Sequence, residues 1–227
     1  MSDKPFEIIP YGDAAFLVKF QTDGYSETVT QHIHSVIAGL KDDPNWEELV
    51  PGYNSLLACF CPASFPPPQA RLQLLKSLKS LENNPLGAGE IIDIPVCYGS
   101  QYGPDMSVIE KSSGLSAKQI IKTHSTPVYS VCMMGFIPGF TFLSEAPKIL
   151  HHPRHATPRQ SVPAGSVGIA GWQTGMYGLE SPGGWQIIGR TPYSIFDAHR
   201  DTPFLLKAGD RVRFRSISPR EFEELSE

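Results

Sequence analysis

The chain has 227 residues, of which 41% are hydrophobic and 19% are charged. This composition is typical of a folded protein and excludes an intrinsically disordered one. The 19 Lys and Arg residues are outnumbered by 23 Asp and Glu residues, which gives a formal net charge of −4 at pH 7. Because the chain has no excess of basic residues, no nucleic-acid partner is expected.

The sequence also bears on cellular location and on cysteine chemistry. No apolar run is long enough to span a membrane, and the first residues do not resemble a secretory signal. We therefore expect a cytoplasmic protein with no membrane partner. The spacing of the four cysteines fits neither a zinc site nor a disulfide framework, which predicts reduced thiols at Cys59, Cys61, Cys97 and Cys132.

Three histidines within residues 151–155 come nearest to a metal-binding motif. Pro153 lies between them, and no nearby carboxylate completes a set of ligands. The segment is predicted to be a solvated, mobile loop, and no metal site is predicted in the chain.

The first third of the chain predicts a small α/β unit. Residues 6–9 and 15–20 have the pattern of strands, and residues 53–61 are apolar on both faces, as in a buried strand. One helix is predicted from Ser26 and another after Pro66, because apolar residues follow each at helical spacing. These residues are Val29, Ile33, Val36, Ile37 and Leu40 in the first helix, and Leu72, Leu75, Leu78 and Leu81 in the second. With a further strand over residues 90–96, the order predicts an antiparallel sheet with helices on one side.

The remainder of the chain has a different pattern. Residues 83–89 combine turn formers without periodicity and are predicted to be a linker. Two helices are predicted over residues 105–111 and 116–124. Glycine and proline are frequent between residues 135 and 192, where short strands such as residues 166–170 and 186–197 indicate a closed barrel. A last strand over residues 211–215 precedes a short helix that begins at Ser218.

The predicted fold class is therefore α+β, with two domains. Residues 1–86 form a small N-terminal α/β sandwich domain. Residues 87–227 form a β-barrel domain that carries the helix pair near residues 105–124.

The usual signatures of a self-contained enzyme are absent from the sequence. It contains no P-loop, no zinc-protease motif, no nucleophile elbow and no amidase segment. Arg159 and Arg190 stand beside threonine and proline in glycine-rich turns, where a fixed guanidinium group suits carboxylate or phosphate oxygens. The alternative is that the glycines form barrel corners and the arginines are ordinary surface cations.

Several blocks, in order, closely resemble one family. They are residues 11–13, 50–57, 98–105, 135–140 and 209–212, His124, and the glycine-rich blocks between residues 157 and 192. The chain resembles, over essentially its whole length, the family called allophanate hydrolase subunit 1, KipI or the 5-oxoprolinase B subunit. The resemblance implies a cyclophilin-like C-terminal β-barrel, in agreement with the pattern of short strands.

The resemblance also implies a heteromeric enzyme, to which this chain contributes one non-autonomous component. Its partners would be a homologue of the 5-oxoprolinase C subunit, called the C-subunit homologue below, and a LamB/YcsF-type protein as the A component. Together they would hydrolyse ATP and open the lactam ring of 5-oxo-L-proline to give L-glutamate. The implied cofactors are ATP and Mg²⁺ in the assembled complex, with no biotin attached to this chain.

Candidate site residues follow from that implied chemistry. Arg159 and Arg190 would neutralise phosphoryl charge, and His124 would be either a base or a positive charge at a helix C-terminus. Asp105 is interpreted as a helix cap. The residues predicted to bind substrate are Gln173, Thr174, Gly139, Phe140, Ser166, Gly183 and Gly184.

Two other functions remain open from the sequence. KipI-type relatives inhibit a sporulation histidine kinase, which requires a protein interface and no chemistry. The same two-domain module also occurs in urea carboxylase, where it serves carboxyl transfer in allophanate metabolism.

Overall fold

A computed structural model describes residues 5–80 and 90–226. Contacts between Cα atoms divide the chain into two compact units, Met1–Gly89 and Glu90–Glu227. The predicted linker, the predicted boundary after residue 86 and Leu81 lie outside the described residues.

The first unit is a four-stranded antiparallel sheet with strand order β1-β2-β4-β3. Its elements in chain order are β1 (Phe6–Pro10), β2 (Ala15–Phe20), α1 (Glu27–Leu40), β3 (Trp46–Pro51), β4 (Ser55–Phe60) and α2 (Pro67–Ser80). Helix α1 begins where the sequence predicts, because the Ser26 side chain accepts a hydrogen bond from Val29 N. Both helices pack on one face of the sheet, where alternate residues such as Val18, Leu56 and Phe60 form a common core with Ile33 and Leu74.

Three details of this unit differ from the predictions. The strand predicted over residues 90–96 belongs to the second unit. The fourth strand of the sheet is β3, which was not predicted from the sequence. The alternation in β3 is broken by a shift of register between Trp46 and Glu48. Leu72 is 53% exposed, because α2 packs through Ala70, Leu74 and Leu78 instead.

The second unit is built on a closed seven-stranded barrel with strand order β10-β7-β6-β13-β5-β12-β9. The barrel strands are β5 (Ile91–Tyr98), β6 (Val128–Met134), β7 (Thr141–Glu145), β9 (Ser166–Ala170), β10 (Gln173–Met176), β12 (Gln186–Arg190) and β13 (Arg211–Ile217). Strands β5 and β13 are parallel, and the other barrel pairs are antiparallel. The α+β fold class with a barrel is thus confirmed.

Short elements surround the barrel. They are α3 (Met106–Ser113), α4 (Ala117–Ser125), a 3-10 turn (Lys148–Leu150), the paired strands β8 (Arg159–Val162) and β11 (Ser181–Gly183), and α5 (Pro219–Glu224). The predicted helix pair and the terminal helix are confirmed, and Ser218 Oγ caps α5 by accepting from Glu221 N. The predicted strand over residues 186–197 ends earlier, at Arg190, since the next residues turn at Pro192. No helix in the described part of the chain is long and apolar enough to cross a membrane.

Candidate functional site

Arg190 is the last residue of β12, where it lines a cavity of about 320 Å³. Its side chain is half-buried, and Nε donates a hydrogen bond to the Ala164 carbonyl oxygen at 2.8 Å. That bond fixes the guanidinium group relative to the turn before β9. The other lining residues are Ala164, Gly165, Gly178, Leu179, Thr191, Pro192, Tyr193, Ser194, Ile195, Phe196, Phe222 and Ser226.

Among the residues that the structure describes, no carboxylate pairs with the charge of Arg190. Within residues 5–80 and 90–226, none of the salt bridges involves this side chain. A guanidinium group that is oriented by one backbone bond and otherwise unpaired can offer its two terminal nitrogens to an anion. The cavity therefore suits a ligand with a carboxylate or phosphoryl group.

Next to Arg190, the backbone of the turn before β9 lies close to the backbone of Thr191. This close approach requires a glycine at position 165. Its φ is +79°, and a Cβ there would lie 2.5 Å from the Thr191 carbonyl oxygen, so a larger residue would push the turn away from β12. Ser166 is buried directly opposite Arg190 in the ladder, and the backbone of Gly139 lies against Phe196. These two predicted binding residues thus support the wall of the cavity without lining it.

Arg159, the other predicted arginine, is already paired. Its Nη2 donates to Asp105 Oδ1 at 2.6 Å, and its Nη1 donates to His155 Nε2 at 2.8 Å and to the Trp185 carbonyl oxygen at 3.4 Å. Because arginine only donates, His155 Nε2 must accept in this arrangement. The charge of Arg159 is therefore compensated inside the protein, whereas no described carboxylate compensates that of Arg190.

Asp105 is the N-cap residue of α3, as the sequence predicts, but its side chain makes no capping hydrogen bond. The carboxylate is 5% exposed and accepts from Ile187 N at 2.7 Å through Oδ2, in addition to its bond with Arg159. The Asp105 amide in turn donates to the Ile187 carbonyl oxygen at 2.9 Å. Asp105 therefore joins the start of α3 to strand β12.

An aromatic cluster packs against Val162, the last residue of β8. Phe140 is 1% exposed and packs against Tyr177 and Trp185. Burial raises the pKa of Tyr177 to about 12. A side chain at Gly183 would collide with the Tyr177 hydroxyl group, so this glycine makes room for the tyrosine.

Two further residues that were predicted to bind substrate are Gly184 and Gln173. Gly184 lies beside His155 and Pro158. Gln173 is half-buried at the start of β10, paired with Ala170 and Glu145. Neither residue lines the Arg190 cavity, and their role in substrate binding stays a prediction.

His124 and Thr174 meet in the interior of the barrel, where both are fully buried. The Thr174 hydroxyl donates to the Gly168 carbonyl oxygen at 3.0 Å, so its oxygen accepts from His124 Nε2 at 2.8 Å. His124 Nδ1 then accepts from the Tyr98 hydroxyl at 2.9 Å. This chain of bonds assigns the proton of the neutral ring to Nε2.

The interpretation of His124 as a positive charge at a helix C-terminus is wrong. Its ring stacks on Phe214 with centroids 4.8 Å apart, and burial lowers its pKa from 6.5 to about 3. The imidazole is therefore neutral at physiological pH. All hydrogen-bonding positions of His124 are thus occupied by protein groups, and neither His124 nor Thr174 lines the Arg190 cavity. A role of either residue in the reaction stays a prediction.

His124 should make the stability of the protein depend on pH. Its folded pKa is below its unfolded value, so the contribution is complete above about pH 6.5 and is lost as the pH falls toward 3. For His124→Gln, we expect the loss of unfolding free energy between pH 6.5 and 4.5 to be about 2 kcal/mol smaller than for the wild type. Urea unfolding at a series of pH values measures this difference.

The matched control for that prediction is His199→Gln, which changes an exposed histidine of the same unit. A change that this variant shares with His124→Gln would come from the loss of a histidine in general and not from the burial of His124. Equal slopes for His124→Gln and the wild type would show that His124 titrates normally in the folded protein.

The segment over residues 151–155 is not the free loop that the sequence predicts. His152 pairs with Gly171 in a β-bridge, His155 N donates to Gly184 O at 2.7 Å, and Gln186 Nε2 donates to Pro153 O at 3.0 Å. These bonds attach the segment to the barrel at both ends. Among the described residues, no group of three or more His, Cys, Asp or Glu side chains could hold a metal ion.

Comparison with known proteins identifies the family. Residues 6–206 match the model of the carboxyltransferase domain, subdomain C and D. A Bacillus subtilis protein named as the B subunit of 5-oxoprolinase is 35% identical over 98% of this chain and 97% of its own length. An Escherichia coli O157:H7 protein of the same name is 46% identical over 77% of this chain and 80% of its own length.

Solved structures agree with this assignment. The protein TTHA0988 is 36% identical and superposes on 90% of this chain with a TM-score of 0.77, although this chain spans only 40% of its length. The protein PH0987 from Pyrococcus horikoshii is 40% identical, with 95% of this chain and all of that chain covered and a TM-score of 0.58. The urea amidolyase of Kluyveromyces lactis shares the fold alone, at 18% identity, a TM-score of 0.74 and coverage of 96% of this chain and 15% of its own.

A closed barrel and a four-stranded α/β unit in one chain are thus the architecture of a carboxyltransferase-type module. The chain belongs to the carboxyltransferase subdomain C and D family, together with the proteins named as the B subunit of 5-oxoprolinase, and the resemblance inferred from its sequence is confirmed.

Proposed function

We propose that this chain is the B subunit of an ATP-dependent 5-oxoprolinase. The observation that carries the proposal is the similarity to the Bacillus subtilis protein of that name, which extends over nearly the whole of both chains. Such a component works with other subunits, and we propose the C-subunit homologue and the LamB/YcsF-type protein as partners. A cytoplasmic location and a histidine-kinase partner stay predictions.

The chemistry of the substrate explains the need for ATP. A lactam carbonyl is stabilised by resonance and reacts slowly with water. Transfer of the γ-phosphoryl group of ATP to the carbonyl oxygen would make the ring carbon electrophilic and release ADP. Water would then add to that carbon, and cleavage of the C–N bond, with a proton passing to the ring nitrogen, would give an acyl phosphate of glutamate. A second water would hydrolyse this acyl phosphate to glutamate and free phosphate.

Arg190 is the residue of this chain that best fits the phosphoryl transfer. Negative charge develops on the transferred oxygens, and catalysis of this step rests on positioning and on fixed positive charge. The Arg190 guanidinium group is held by Ala164 O at the edge of a cavity and has no carboxylate partner among the described residues. Its two terminal nitrogens would bind either phosphoryl oxygens or the substrate carboxylate.

Mg²⁺, which usually accompanies ATP, supplies positive charge to phosphate oxygens when it is bound. The described residues contain no cluster of acidic or histidine side chains that fits it as a set of ligands.

The direct test combines the purified chain with the two proposed partners and measures ADP release that depends on 5-oxoproline. We expect no activity from this chain alone and activity only when both partners are added, because the chain has no nucleotide-binding motif of its own. Omission of each partner in turn is the control. Turnover by the chain alone, or no turnover by the full mixture, would contradict the proposal.

Carboxyl transfer is the second candidate, since a Saccharomyces cerevisiae protein named urea amidolyase is 27% identical over 54% of this chain and 7% of its own length. The same mixture distinguishes the two candidates. Carboxyl transfer predicts no ADP release from 5-oxoproline, and it requires a biotin-bearing protein that the mixture does not contain.

A further inference from the structure

The sheet of the first unit has one face on which no described helix packs. In an antiparallel sheet with one face in water, that face is normally polar. Here a row of four aliphatic residues in cross-strand register crosses all four strands. The residues of this aliphatic stripe are Ile9 on β1, Leu17 on β2, Leu57 on β4 and Val50 on β3.

The register shows that the stripe lies opposite the core. Val18 and Leu56, the immediate neighbours of Leu17 and Leu57, point into the core beneath the helices, so Leu17 and Leu57 point to the other face. All four stripe residues are half-buried, and none belongs to the helix-side core. A continuous apolar row on a face that no described helix covers is typical of an interaction surface.

Acidic residues border the stripe on one side. In the next row, Ala15 pairs with Cys59 and Cys59 with Glu48. There a cleft of about 770 Å³ is lined by Asp13, Glu47, Glu48 and Tyr11, whose side chain is 61% exposed. No salt bridge in the described part of the chain involves these three carboxylates.

The row on the other side of the stripe carries no compensating charge. It consists of Glu7, Lys19 and Ser55, in which one acid and one base stand opposite each other. The described residues of this face therefore carry an excess of negative charge. If two copies of this face met, their negative charges would repel each other with no excess of positive charge to balance them. This disfavours a homodimer through this face.

We infer that this helix-free face binds the C-subunit homologue, through a surface of that protein on which lysine or arginine side chains flank aliphatic ones. The inference rests on the proposed function, because one component of a heteromeric enzyme requires a protein partner. The aliphatic stripe would be the dehydrated centre of the interface, with Tyr11 and the acidic cleft at its border. The charge of the cleft would speed association and select a basic partner.

Binding of the full-length chain to the purified C-subunit homologue tests this inference. The double variant Leu17→Thr/Leu57→Thr keeps residues that favour strands and removes the apolar contact, so we expect the Kd to rise at least about tenfold. For Glu47→Lys/Glu48→Lys we expect a similar rise in Kd and a reduced dependence of the Kd on salt.

Two variants outside the face are matched controls. Leu72→Gln changes an exposed leucine on the helix side of the same unit, and Glu223→Lys reverses an exposed charge on α5. Both should bind like the wild type. Circular dichroism and the thermal midpoint of each variant show whether it is folded.

Each outcome decides the inference. Wild-type affinity in both face variants would overturn it, and if the wild-type mixture is then still active, the proposed function stands. A wild-type dimer that Leu17→Thr/Leu57→Thr converts to a monomer would overturn it in favour of a second copy. Failure of the wild-type chain to bind the C-subunit homologue would overturn the inference and the proposed function together.

Discussion

Arg190→Ala is expected to lower the rate of ATP-coupled ring opening by at least about a hundredfold. The variant chain should still fold and bind the C-subunit homologue. The expected loss of stability is small. The variant loses one half-buried hydrogen bond to Ala164 O, which contributes about 1 kcal/mol. The rate should fall because a fixed charge at the edge of the cavity is removed.

The measurement is 5-oxoproline-dependent ADP release by the assembled complex. Arg190→Lys should recover only part of the rate, because an ammonium group cannot keep the bond to Ala164 O and also offer two parallel donors to an anion. Arg211→Ala is the matched control, since Arg211 is a half-buried arginine of the same unit that does not line the cavity. A normal rate in an assembled Arg190→Ala complex would show that Arg190 is an ordinary surface cation.

Much of the fold could be predicted because its signals are local. The helix starts at Ser26 and Ser218 and the strand over residues 211–215 depend on near neighbours in sequence, and the structure confirms all three. The strand β3 was missed because its shift of register and its adjacent glutamates break the alternation. The strand β5 was assigned to the wrong sheet because its partner β13 follows more than a hundred residues later.

The site was harder to predict because its contacts are not local. Composition and turns indicated Arg159 and Arg190 equally as binders of anions. What distinguishes them is that Asp105 accepts a bond from Arg159 across 54 positions of sequence. Among the described residues, the side chain of Arg190 donates to a backbone oxygen and to no carboxylate. The burial of His124 likewise depends on Phe214 and Thr174, which lie far from α4 in the sequence.

The second large expected effect concerns Arg159, the arginine that is paired, and it is an effect on the free energy of unfolding. Arg159→Ala would remove the arginine from the buried Asp105 carboxylate and leave the His155 ring, 3.3 Å from Oδ2, beside it, and we expect the free energy of unfolding to fall by about 3 kcal/mol. Asp105→Ala should cost at least as much, because it also leaves the buried Ile187 amide without an acceptor. Chemical denaturation of the isolated chain measures both.

A double-mutant cycle measures the interaction free energy between Asp105 and Arg159 separately from their contacts with other residues. The double variant Asp105→Ala/Arg159→Ala should be less destabilised than the sum of the single variants by roughly 1 to 3 kcal/mol, since no charge is then left unpaired. The control pair is Asp93 and Arg213, which form two hydrogen bonds at 2.8 and 3.0 Å but are each nearly half exposed. Its coupling should remain below about 1 kcal/mol.

The same cycle tests the role that the sequence predicts for Arg159. If Arg159 mainly holds Asp105, and through it the start of α3 against β12, then Arg159→Ala should lower stability more than it lowers the rate of the folded, assembled complex. If Arg159→Ala instead leaves stability unchanged and removes activity, the guanidinium group acts on a ligand. Asp105 would then serve to orient that guanidinium group, and the two arginines would share the binding of the anion.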